Sequence, residues 1–129
     1  VFDSAAELAR KFEAELHLLR VVTIPPEFPA AGAGAAADTL PAYLASVAMD
    51  ELSELSRRAP THTAKAPIVL SGQAWRVIID TARSLDVDLI VVGSHGYQGW
   101  DRVLGTTAAK VVNLADRDVL VVHDRKSQA

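Results

Sequence analysis

Four of the chain's seven glycines, Gly93, Gly96, Gly99 and Gly105, crowd into one short stretch. Gly93-Ser94-His95-Gly96-Tyr97-Gln98-Gly99 follows a β-branched run, and Gly105-Thr106-Thr107 opens a helical pattern. Glycines between a strand and a helix let backbone amides approach an anion with no Cβ in the way. A helix start adds unpaired amides and the positive end of the helix dipole, and the two threonines add hydroxyl donors. Together these groups suit a phosphate. Glycine turns also occur at such junctions without a ligand, so the residues alone leave a phosphate site and a plain turn both open. The lysine that a P-loop places after its second glycine is replaced by Thr106, and the dinucleotide pattern G-x-G-x-x-G is absent.

Other reactive side chains near this stretch carry less. His95 suits a phosphate or ribose contact and equally a turn-stabilising role. The four histidines are scattered, which argues against a metal centre. Ser94-His95 lacks the glycines of a nucleophile elbow and has no assigned acid. Tyr97 and Trp100 suit stacking on a base or covering a helix, Trp75 reads as packing, and Asp101-Arg102 reads as a solvated pair. Cysteine is absent, which excludes disulfides, thiolate chemistry and cysteine-ligated zinc. With 13 basic and 16 acidic residues the net charge is −3, so nucleic acid is not the expected partner. No apolar run reaches the roughly 20 residues that span a bilayer, and no signal-peptide pattern is seen. The expectation is a cytoplasmic protein with no membrane or nucleic-acid partner.

At 129 residues, half of them hydrophobic, the chain suits a single domain over 1–129. Phe2, Ala5, Leu8, Ala9 and Phe12 recur at helical spacing, with Asp3 or Ser4 as candidate caps. Leu16, Leu18, Leu19, Val21 and Val22 read as a short strand. From 23 to 40 periodicity vanishes. Pro25, Pro26, Pro29 and an alanine–glycine run predict a mobile loop with a weak helical tendency, whose only acids are Glu27 and Asp38. Pro41 suits the first turn of a second helix lined by Leu44, Val47, Ala48, Leu52 and Leu55. Residues 66–70 predict a strand with Pro67 near its start, and Ala74, Val77, Ile78, Ala82 and Leu85 mark a third helix. Residues 88–93 predict a buried parallel strand, 106–115 a fourth helix and 118–123 the last strand, ahead of a polar tail at 124–129. Strands alternating with helices predict an α/β fold. Its parallel sheet binds ligands outside the carboxyl ends of the strands.

The segment Val91-Val92-Gly93-Ser94-His95-Gly96, then Gly105-Thr106, Val111-Val112 and Val119-Leu120-Val121-Val122, closely resembles the universal stress protein family. The resemblance is densest from Asp88 to His123, and the order of elements extends it over nearly the whole chain. It points to the branch that binds ATP through G-x-x-G, about nine residues, then G followed by Ser or Thr. The fold it implies is adenine-nucleotide alpha hydrolase-like: an open parallel sheet of strand order 3-2-1-4-5 with helices on both faces. Carried over, Gly93 and Gly96 would shape the turn under the ribose and phosphates. Gly105, Thr106 and Thr107 would contact the phosphates, Val92 and His95 would lie on the ligand side, and Val22 would approach the adenine. The cofactor implied is ATP, with Mg, or AMP or another adenine nucleotide.

Two departures stand out. Residues 97–104 number eight, so the loop closes one residue tighter. In the family a first strand ending in aspartate precedes the first helix, whereas Val1 already lies within that helix pattern. Strand one is central in the family order, and its removal would leave its neighbours roughly 9–10 Å apart, twice the normal spacing. Each buried backbone group so orphaned costs about 1–3 kcal/mol. The expectation is that the native protein carries residues beyond this chain, and an ordered central strand formed from 1–129 would refute it. The apolar run at 118–123, unprotected as an edge, suggests a homodimer through that strand, as the family commonly forms. The function implied is a nucleotide-dependent regulatory module in the stress response, acting on a protein partner, with slow or no hydrolysis. A nucleotide-free interaction module of the same fold and an enzyme of a related nucleotide-binding superfamily are the alternatives.

Overall fold

The computed structural model describes residues 1–23, 35–94 and 104–123. Their elements follow in the order α1 (Phe2–Phe12), β1 (Leu19–Val22), α2 (Ala35–Arg58), β2 (Ile68–Ser71), α3 (Ala74–Leu85), β3 (Leu89–Gly93), α4 (Thr106–Leu114) and β4 (Asp118–Val122). Strand and helix alternate throughout, as an α/β fold with parallel pairing requires. β1 pairs β2 in parallel from Leu19 opposite Ile68 to Val22 opposite Ser71. β3 pairs β4 in parallel from Leu89 opposite Asp118 to Gly93 opposite Val122. The two pairs form separate two-stranded sheets, and among the described residues no strand joins β1 to β3.

Helices cover both faces. Ala5, Ala6 and Ala9 of α1 form one buried cluster with Leu16, and Phe2, Leu18, Ala59 and Val91 pack against it. Ala82 of α3, Ile90 of β3 and Val111 of α4 form a second, joined by Trp75, Ile78, Val87, Val92, Ala115 and Val119. β3 thus alternates with period two: Val91 faces α1, and Ile90 and Val92 face α3 and α4. That alternation makes β3 the partition between the two cores.

Local chemistry explains the ends. α1 and α3 both close on a left-handed residue, Glu13 and Asp86, each with φ 52°. Past α3 the chain is clamped by Arg117, whose guanidinium donates to the carbonyls of Ala82 at 3.0 Å and Val87 at 2.9 Å. Gly72, with φ 139°, makes the turn from β2 to α3, and a Cβ there would meet Val77 Cγ2 at 3.0 Å.

Several expectations are corrected. Residues 35–40, expected in the loop, belong to α2, so Pro41 lies inside that helix and not in a first turn opened by the proline. Alanine is the strongest helix former, and Ala35, Ala36 and Ala37 extend the helix without any large apolar anchor. Residues 24–34 and the tail at 124–129 lie outside the described residues. Phe12, expected inward, is 76% exposed at the last helical position, and Val47 of α2 and Leu85 of α3 are also exposed. Ile79, absent from the expected face of α3, is buried there instead.

Candidate functional site

The start of α4 is built as a free donor cluster. Gly105 is its N-cap, with extended backbone and no side-chain cap, and no acidic residue stands in the first turn. The Gly105 amide donates to the carbonyl of Ser94 at 2.7 Å, and the first helical bond runs from the Ala109 amide to the Gly105 carbonyl at 2.9 Å. The amides of Thr106, Thr107 and Ala108 fall between these two in the first turn, and none of them has a backbone partner among the described residues. Thr106 and Thr107 are exposed. Val111, wholly buried, holds the helix against α3 and β3 one turn further on.

Ser94 joins this cluster to the sheet. It is 2% exposed, and its amide donates to the Val122 carbonyl at 2.9 Å while its own carbonyl accepts from Gly105. Sequence reasoning gave Ser94 no role. Its place as the first residue past a glycine-ended strand was the available signal.

A cavity of about 600 Å³ opens beside this junction. It brings together five of the eight expected site residues: Val92, Gly93, Gly105, Thr106 and Thr107. Val22 lies elsewhere, in a cleft between β1 and α2 with Thr23, Tyr43 and Leu44. His95 and Gly96, with Tyr97 and Trp100, lie outside the described residues. The cavity continues along the sheet past Leu19, Ile78, Leu85, Leu89 and Ile90, so most of its wall is apolar. His17 is the one titratable side chain among the described residues of that wall. Two cations stand near α4: the Lys110 ammonium lies 5.1 Å from the centre of the Trp75 ring, and the Arg76 guanidinium 5.3 Å. Trp75 packs into the second core, with its indole N–H buried and without a partner among the described residues. No group of three or more metal-ligating side chains occurs among the described residues, and none of their helices is long and apolar enough to cross a membrane.

Residues 1–123 match the sequence profile of the universal stress protein family. The chain belongs to that family. Universal stress protein A homolog 1 of Coxiella burnetii is 35% identical over 127 residues, which cover 95% of this chain and 85% of that protein. Universal stress protein UspA from Lactobacillus plantarum superposes with a TM-score of 0.82 at 25% identity, over 94% of this chain and 86% of that one. A universal stress protein solved in complex with cAMP superposes with a TM-score of 0.64 at 22% identity, over 95% and 84% of the two chains. The α/β architecture of this universal stress protein is therefore the family's, and its donor cluster sits where parallel sheets place their ligands.

Proposed function

We propose that this universal stress protein binds an adenine nucleotide, ATP foremost, with the phosphates at the start of α4. The observation that carries the reading is the convergence of Gly93, Gly105, Thr106 and Thr107 on one cavity beside an uncapped helix N-terminus free of acid. Unpaired amides and two hydroxyls match the acceptor oxygens of a phosphate, and the helix dipole favours its charge. The apolar remainder of the cavity suits a base and sugar, and the cAMP complex of a relative supports the nucleotide class. Mg would enter with ATP, carried on its phosphates. The reading is a regulatory module whose hydrolysis is slow or nil, in place of an efficient enzyme.

The same reading makes the protein a cytoplasmic homodimer that passes nucleotide occupancy to a regulatory protein partner. β4 pairs only β3 among the described strands, and Leu120, Val112 and Leu114 nearby are exposed. A second copy laid along β4 would cover them.

Native mass spectrometry followed by isothermal titration with ATP, AMP and cAMP tests the proposal. A dimer that carries or takes up one ATP per chain is the expected result. A chain that stays empty in millimolar Mg-ATP would replace this reading with the nucleotide-free interaction module, and turnover near the ~10 s⁻¹ of typical enzymes would replace it with a catalytic one.

A further inference from the structure

Two cations stand between the starts of α3 and α4 with no acid beside them. Trp75, the second residue of α3, links the two helices there. Its ring packs into the core with Ala82 and Val111, and the Lys110 ammonium of α4 lies 5.1 Å from the ring centre. The Arg76 guanidinium lies 5.3 Å from the same centre. Every other lysine and arginine among the described residues has a carboxylate oxygen within 3.9 Å. Arg76 and Lys110 have only the indole.

This placement does not serve folding. Neither helix has an acid in its first turn, and Arg76 itself stands in the first turn of α3. A cation there opposes the positive end of the helix dipole. The chain has 16 acidic residues against 13 basic ones, so carboxylates are not scarce. An unneutralised pair beside two helix starts is a concentrated positive field, and a polyanion is what it suits.

The pair also borders the phosphate donors. Lys110 follows Thr107 by three residues and Thr106 by four, so the three share one face of α4, about 6 Å apart along the axis at the extremes. Helical side chains lean toward the N-terminus, which carries Lys110 toward the threonines. On α4 the cavity wall ends with Thr106, Thr107 and Ala108, and neither cation belongs to it. A base and sugar inside the cavity would put the first phosphate at the threonines and any further phosphates outside, beside the pair.

We propose that Arg76 and Lys110 hold the outer phosphates, so that the site selects a triphosphate over a mono- or cyclic phosphate. The inference rests on the nucleotide reading and adds its specificity. A monophosphate at Thr106 leaves the pair unused, whereas a triphosphate brings its additional charge to them. The indole restrains both side chains without neutralising them, which lowers the ordering cost of binding. The Arg76 guanidinium offers a planar fork to two oxygens, and Lys110 a point charge.

Arg76→Gln with Lys110→Gln removes both charges. Both side chains are exposed, so the double variant should keep the parent's thermal melt, which checks its fold. Calorimetric titrations of parent and variant use ATP, AMP and inorganic tripolyphosphate at low salt. Affinity for ATP and tripolyphosphate should fall at least about tenfold in the variant, and affinity for AMP should change less than about twofold. Lys110→Arg, which keeps the charge, should retain most of the ATP affinity. Equal losses for ATP and AMP, or no loss for either, would overturn the proposal and leave the nucleotide reading standing. A parent that binds AMP as tightly as ATP would do the same. Tripolyphosphate bound by the parent and lost in the variant, with neither nucleotide bound, would end the nucleotide reading and keep the pair as a polyphosphate site. A parent that binds none of the three overturns both.

Discussion

Val111 and Val112 stand side by side on α4 in opposite surroundings, and alanine at each should separate burial from helix propensity. Val111 is 0% exposed and sits in the cluster with Ala82 and Ile90, while Val112 is 44% exposed. Val111→Ala removes two buried carbons, a transfer loss of about 1.6 kcal/mol. The pocket left among α3, β3 and β4 adds about 1 kcal/mol, because a site held by three elements collapses little. Alanine returns roughly 0.5 kcal/mol of helix propensity. The net cost is about 2 kcal/mol, a fall in Tm of about 8 °C for a domain of this size. Val112→Ala keeps the propensity gain and loses little burial, so its stability should stay within about 0.5 kcal/mol of the parent. Urea unfolding followed by circular dichroism measures both, with an unchanged m-value as the check on two-state behaviour. Equal costs for the two variants, or a cost under about 0.7 kcal/mol for Val111→Ala, would refute the view that α4 is pinned by that side chain.

Four further outcomes are expected. Thr106→Val with Thr107→Val keeps the shape of the first turn and deletes both hydroxyls; ATP affinity by titration should fall about a hundredfold, two hydrogen bonds to a charged acceptor at about 1.5 kcal/mol each. Gly72→Ala should destabilise by about 1–3 kcal/mol in urea unfolding, since φ 139° and the 3.0 Å approach to Val77 both oppose a Cβ. Arg117→Ala should lower Tm and speed amide exchange at the end of α3, because the carbonyls of Ala82 and Val87 lose their shared donor. The hydrogen bond from the Arg117 guanidinium holds the Asp116 carboxyl at about 2, below its ordinary 3.8. A depressed carboxyl stabilises above its unfolded pKa, so the parent should lose stability relative to Asp116→Asn as pH falls from about 4 to about 2, followed by thermal melts across that range.

The second half of the fold was legible because its residues are extreme. Leu89-Ile90-Val91-Val92-Gly93 and Asp118-Val119-Leu120-Val121-Val122 are β-branched runs that parallel strands buried on both faces demand, and both were bounded within a residue or two. The expected ligand residues around Gly105 converge because strand end and helix start are fixed by those same runs. The start of α2 was not legible. Alanine and glycine carry no periodicity, and Pro41 reads as a helix beginning even when a helix runs through it. Exposure of Leu85 was equally hidden: its spacing is that of a buried face, yet it lines the open cavity. Val22 failed to join the cavity for a related reason. It ends β1, yet with Val21 and Thr23 it lines the separate cleft against α2.

Ser94 fixes both ends of the segment that separates sheet from helix, one bond to Val122 and one from Gly105. The start of α4 is consequently held by its own base, whatever the length of chain between the two ends. Closing ten residues in place of eleven changes the loop entropy by only about 0.1 kcal/mol. A one-residue deletion between Gly96 and Gly105 is then nearly silent for the donors at Thr106 and Thr107. The two bonds at Ser94 therefore set the anchoring of the helix, and the length of chain between them does not.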